Sequence, residues 1–129
     1  MRAVGQIRLL AAICIALLIV AGCGSLLPSR PSITCAEVPD PTCSDAITLV
    51  SGAFSQDVGS ASAVIVTDTC PPAAECDRQF AIDLAVVIVP ADPSRRVIAL
   101  HVFGTRRPET IEPLPGDLPA HVEALLPGR

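Results

Sequence analysis

Ser62-Ala-Val-Ile-Val-Thr-Asp-Thr-Cys70-Pro71-Pro72-Ala73-Ala74-Glu75-Cys76-Asp-Arg-Gln-Phe-Ala-Ile-Asp-Leu84 decides the fold of this 129-residue chain. Two apolar, β-branched runs flank a proline-containing loop closed by cysteines, the pattern of a hairpin. Setting Cys70 opposite Cys76 pairs Asp68 with Arg78, Val66 with Phe80, Val64 with Ile82 and Ser62 with Leu84. Opposite charges meet at one pair and large apolar groups at the next two, as cross-strand stabilisation requires. This agreement favours a Cys70–Cys76 disulfide and leaves Cys35 to pair with Cys43. Each bridge closes a loop of fewer than ten residues, for about 2–3 kcal/mol by the chain-entropy model.

Three strands follow from this reading: Ser62–Asp68, Arg78–Val89 and Arg95–Phe103. The second and third turn at Pro90-Ala91-Asp92-Pro93-Ser94, which pairs Val86 with Ile98, Leu84 with Leu100 and Ile82 with Val102. Even-numbered positions then share the core face: Val64, Val66, Phe80, Ile82, Leu84, Val86, Ile88, Ile98, Leu100 and Val102. A slip of one residue would exchange the two faces. Upstream, Ala46, Ile47, Val50, Ala53 and Phe54 recur at helical spacing. They predict a helix over about 41–54 that covers the core face, started by Asp40 with Pro41 or by Ser44 one turn later.

The odd-numbered face carries Ile65, Asp83, Ala85, Val87, Val89, His101 and Phe103, and is too apolar to be left to water. Two covers are open. Gly104 to Arg129 holds five prolines, and a short helix over Leu118–Leu126 could lay Leu118, Val122, Leu125 and Leu126 on the sheet. Otherwise Val87, Asp83, His101 and Phe103 form an interaction face for a partner. The fold expected is thus α+β: one N-terminal helix packed on a three-stranded antiparallel meander, with two disulfides and a Pro-rich C-terminal extension.

Composition narrows the function classes. The chain has nine arginines, thirteen Asp plus Glu and no lysine, tryptophan or tyrosine, for a formal charge of −4. An acidic chain with three aromatic residues lacks the basic stripes and stacking platforms that nucleic acid requires. No nucleophile elbow, phosphate loop, H-E-x-x-H or EF-hand spacing is present. Asp83 and His101 fall opposite each other on the odd face but lack a nucleophile, so they read as a cross-strand polar pair. Arg95-Arg96, Arg106-Arg107 and His121 read as surface residues. The gaps between the cysteines are not those of zinc or redox sites. No catalytic residue, metal ligand or cofactor is assigned, and the chain is not read as an enzyme.

The N-terminal segment supplies an address. Arg2 and Arg8 precede the apolar stretch Leu9–Val20, and Val20-Ala21-Gly22-Cys23 follows. The layout is that of a secretory signal, shorter than the roughly 20 apolar residues of a membrane span. The Val-Ala-Gly-Cys ending resembles the bacterial lipobox. That resemblance implies a diacylglyceryl group on the Cys23 thiol, cleavage before Cys23, and anchorage to the extracytoplasmic side of the cell membrane. Two acyl chains suffice for stable anchoring, and an oxidising compartment suits the four remaining cysteines. The expected organisation is a signal peptide at 1–22, a lipid-anchored tether at 23–34, an α+β domain at 35–105 and the C-terminal extension at 106–129. Gly24 to Ser32 spans at most about 30 Å when extended.

The Thr69-Cys70-Pro71-Pro72-Ala73-Ala74-Glu75-Cys76 stretch also resembles small lipoproteins of GC-rich actinobacteria. Those carry a Cys-Pro-Pro-Gly-Ala-Arg-Cys-like loop, and Ala73 and Glu75 stand here where Gly and Arg would be. The resemblance implies a secreted or surface-tethered domain and brings no activity with it. The expected function is a non-enzymatic binding or scaffolding module with an envelope protein as partner. The alternative is an inhibitor that inserts the 70–76 loop into an enzyme cleft.

Overall fold

The computed structural model describes residues 29–128, so the signal segment and Cys23 lie outside the described residues. Its elements are β1 (Ser32–Ala36), α1 (Asp40–Ala53), α2 (Ser55–Gly59), β2 (Ala61–Asp68), β3 (Ile82–Pro90), β4 (Ile98–Gly104), β5 (Thr110–Pro113) and α3 (Ala120–Glu123). The strands form one sheet in the order β1-β2-β3-β4-β5. β1 is parallel to β2, and the other pairs are antiparallel.

The expected single helix on a three-stranded meander is therefore corrected to a five-stranded mixed sheet with three short helices. Both added strands are edges. Ser32–Thr34 of β1 fall in the expected tether and Cys35–Ala36 in the expected domain; four of the five residues are exposed, so no in-out alternation marks the strand. β5 lies inside the proline-rich extension and has only four residues. A parallel pair needs a crossover connection, and α1 with α2 supplies it between β1 and β2.

α1 begins with Asp40 and ends at Ala53, with Pro39 as its N-cap and Pro41 in its first turn. Cys43, Ala46 and Val50 form its buried stripe at intervals of three and four. They pack on Val64, Val66, Leu84, Val86, Ile88, Leu100 and Val102, which is the even face of the sheet. The Cys35–Cys43 disulfide ties the end of β1 to the same stripe.

The two hairpin registers also change. Val66 pairs with Val86 and Val64 with Ile88, so β3 is displaced by six residues from the expected match. The Cys70–Cys76 bridge forms, with its Cα atoms 6.1 Å apart, but it closes a local loop and does not end the ladder. In the second hairpin Val86 faces Leu100, a shift of two. Both displacements are even, so each side chain keeps its face. Phe80 alone leaves the core list: its ring stacks on Phe103, with centroids 4.4 Å apart.

The odd face is covered by the chain itself. Val122 and Leu126 pack on Ile65, Ala85 and Val87, with Leu114 and Leu118 at the margin. Val122 is fully buried and Leu126 is 8% exposed.

Candidate functional site

Asp68 ends β2 by accepting the Cys70 backbone N–H at 2.8 Å and the Arg78 guanidinium at 2.7 Å. Beyond it the chain leaves the sheet, and Pro71 through Gln79 are all exposed. The Ala74 N–H donates to the Pro71 carbonyl at 3.0 Å, making a tight turn inside the disulfide. The Asp68–Arg78 pair predicted as a cross-strand contact thus exists, but as a brace across the base of the loop. Disulfide, prolines, turn and brace together restrict the conformational freedom of the loop.

Beside the loop lies a polar cluster built on β3, β4 and β5. His101 Nε2 is 2.8 Å from Asp83 Oδ1, and Nδ1 is 3.2 Å from Glu112 Oε1. The Thr69 hydroxyl donates to the same Asp83 oxygen at 2.7 Å. Both ring nitrogens face carboxylates, so only the imidazolium, with two N–H groups, donates to both. The His101 ring also lies 4.5 Å from that of Phe103. A cavity of about 220 Å³, lined by Thr69, Asp83, His101, Leu114 and Pro115, opens here.

This geometry differs from that of a hydrolytic triad. The hydroxyl at Thr69 hydrogen-bonds the carboxylate and not the imidazole, and neither ring nitrogen is turned to a nucleophile. The cluster joins three neighbouring strands, β3 near its start, β4 at its centre and β5 near its end. Among the described residues, no group of three His, Cys, Asp or Glu side chains is placed to hold a metal ion.

The predicted interaction face does not survive as one surface. Val87 is fully buried beneath α3, whereas Asp83, His101 and Phe103 remain partly exposed at the loop end. His121, read as a surface residue, instead reaches back 3.0 Å to donate from Nε2 to the Asp68 carbonyl. Arg95 is engaged with Asp57 at 3.0 Å, while Arg96, Arg106 and Arg107 are exposed. Glu112 was missed because β5 was missed, and the His101–Glu112 contact depends on that strand.

The site has a defined position relative to the incoming chain. Ser32 pairs with Ala63 near the start of β2, while the loop leaves from Asp68 and Leu84 at the other end. Five residue steps along β2 separate the two, roughly 17 Å at about 3.3 Å per residue. No family model matches the chain, and neither a curated protein nor a solved structure matches it. No helix among the described residues is long and apolar enough to cross a membrane.

Proposed function

We propose that this chain is a lipid-anchored protein of the extracytoplasmic membrane surface that binds an envelope protein without catalysing a reaction. The binding surface is the Cys70–Cys76 loop, flanked by Phe80, Asp83, His101 and Phe103. The observation that carries this reading is the position of a braced loop, exposed from Pro71 to Cys76, at the end of the sheet away from Ser32. Anchorage at Cys23 would hold the Ser32 end close to the bilayer and turn the loop outward. The sequence face around Val87 takes no part, because the C-terminal segment occupies it.

Inhibition of an enzyme is a second reading of the same surface. The exposed loop, stiffened by its prolines and disulfide, favours it, because a restrained loop enters a cleft with little ordering cost. The two readings divide on whether the captured partner is an enzyme that loses activity when bound.

Two experiments test the proposal. Incorporation of a labelled fatty acid into the full chain should be abolished by Cys23→Ser; label retained in that variant would contradict the anchor. Replacement of Cys70 and Cys76 together by serine should remove partner capture while the rest of the sheet stays folded. Capture unchanged by that replacement would move the binding surface elsewhere.

A further inference from the structure

The two disulfides differ in how the rest of the chain holds their sulfurs. Cys35 sits in the β1 ladder opposite Val66, and Cys43 is fully buried in the α1 stripe that packs on the sheet. With that bond broken, ladder and helix still hold both sulfurs in place for it to reclose. Cys70 is held as well: it follows β2, is 7% exposed and donates its N–H to Asp68 at 2.8 Å. Cys76 is not. It lies in the exposed run from Pro71 to Gln79, outside any helix or strand. Apart from the disulfide, this run is fastened by the turn from Ala74 to Pro71 and by the Asp68–Arg78 pair. Pairs so open to solvent hold a chain only weakly. The Cys70 sulfur lies 3.3 Å from the Ala74 carbonyl oxygen and 3.6 Å from that of Pro71. A disulfide sulfur has no proton to give them, whereas a thiol at Cys70 has.

We infer that the Cys70–Cys76 bond is a site of thiol–disulfide exchange, opened by a dithiol reductant that attacks Cys76, while Cys35–Cys43 stays closed. The chain is the substrate of this exchange and not its catalyst, for which its cysteine spacing is unsuited. A thiolate of the reductant bonds to the exposed Cys76 sulfur as the Cys76–Cys70 bond breaks. The electron pair of the broken bond stays on the Cys70 sulfur, which takes a proton from water, and the new S–H donates to the Ala74 carbonyl. The second thiol of the reductant, as thiolate, then displaces Cys76 from the mixed disulfide. The reductant leaves as a disulfide, oxidised by two electrons, and Cys70 and Cys76 remain as two thiols.

Access and the leaving group select this bond over the other. Cys35 is also exposed, but attack there expels a thiolate from Cys43 inside the apolar core, where charge is disfavoured. Cys70 belongs to neither core cluster. A dithiol is required because Cys70, held beside Cys76 by β2 and Asp68, displaces a single thiol again. Opening frees residues 71–75 from their closure. Loss of partner binding on opening rests on the loop being the binding surface; the exchange does not.

Graded reduction of the oxidised full chain tests this. The chain is equilibrated in mixtures of reduced and oxidised dithiothreitol, quenched with iodoacetamide and digested for mass spectrometry. Half-alkylation of Cys70 and Cys76 should come at a reduced-to-oxidised ratio roughly tenfold or more below that for Cys35 and Cys43. Brief exposure to glutathione, a monothiol, followed by an acid quench should leave the adduct on Cys76 and not on Cys70. Amide exchange of the loop-opened chain should show β2 and β3 still protected. Both bridges opening at one ratio, Cys35–Cys43 opening first, an adduct chiefly on Cys70, or lost protection of the sheet would each overturn the inference. None of these readouts uses a partner, so a binding surface elsewhere than the loop would leave them unchanged, and the two proposals fail separately.

Discussion

His101 and Asp83 are bonded at 2.8 Å although they are not opposite each other in the ladder. Asp83 faces Phe103, and His101 faces Ala85, so the bond runs diagonally between neighbouring strands. Diagonal neighbours on one sheet face are within reach of long side chains. The bond therefore survives a register different from the one in which it was first expected. Thr69 closes on the same carboxylate oxygen, and this small network fixes the site end of β3.

Asp83→Ala should cost about 1–3 kcal/mol, the penalty for leaving partly buried donors without their acceptor. Both the Thr69 hydroxyl and the His101 ring lose it. Denaturant unfolding of the two chains measures this; a difference under about 0.5 kcal/mol would mean that the network is only a surface contact.

Leu126→Ala should lower stability by about 2 kcal/mol or more, since Leu126 is 8% exposed and packs with Val122 over Val87. Deleting residues 114–128 should bare Ile65, Ala85 and Val87 and raise the binding of an apolar dye. Unchanged dye binding after the deletion would show that the segment does not cover the sheet.

Gly104→Ala should destabilise the β4–β5 turn. A Cβ on Gly104 would run into the Arg107 backbone carbonyl, which cannot swing aside as a side-chain tip would. Overpacking of this kind typically costs about 1–3 kcal/mol. Gly52, with open space around its Cβ direction, is the control: its replacement by Ala should raise helix stability by up to about 1 kcal/mol.

Asp92 gives a pH prediction with a defined sign. The backbone N–H of Ser94 holds its carboxyl below the ordinary aspartate range, and the Ser94 hydroxyl adds to this. A depressed folded value means stability that is present above the unfolded value, about 3.9, and lost as pH falls through the folded one. An NMR titration should place the Asp92 midpoint below that of Asp92 in a Ser94→Ala chain. Equal midpoints would remove the hydroxyl's contribution and leave only that of the backbone N–H, which alanine keeps.

How much was legible in the sequence depends on burial. Val64, Val66, Val86 and Leu100 alternate with the pleat, and that alternation assigns their face even when the register is wrong by an even number. Cys43, Ala46 and Val50 likewise mark α1. β1 and β5 are edges with exposed side chains, and an exposed strand has no alternation to display. The loop was legible as a stapled element through its cysteines and prolines. Its reach was not: the Asp68–Arg78 match suggested a ladder that continued to Cys76, whereas the chain leaves the sheet at Asp68. Glu112 was out of reach because β5 itself shows no alternation, and His121 because its partner Asp68 lies on an element distant in sequence.

One capture experiment decides whether the braced loop is the binding surface. The full chain and three variants would be immobilised in parallel against envelope extract: Cys70→Ser with Cys76→Ser, Glu75→Ala with Pro72→Ala, and Ile33→Asp. One partner should be retained by wild type and Ile33→Asp and lost from both loop variants while their sheets remain folded. A partner captured equally by the loop variants, or no partner from a folded wild-type chain, would contradict it.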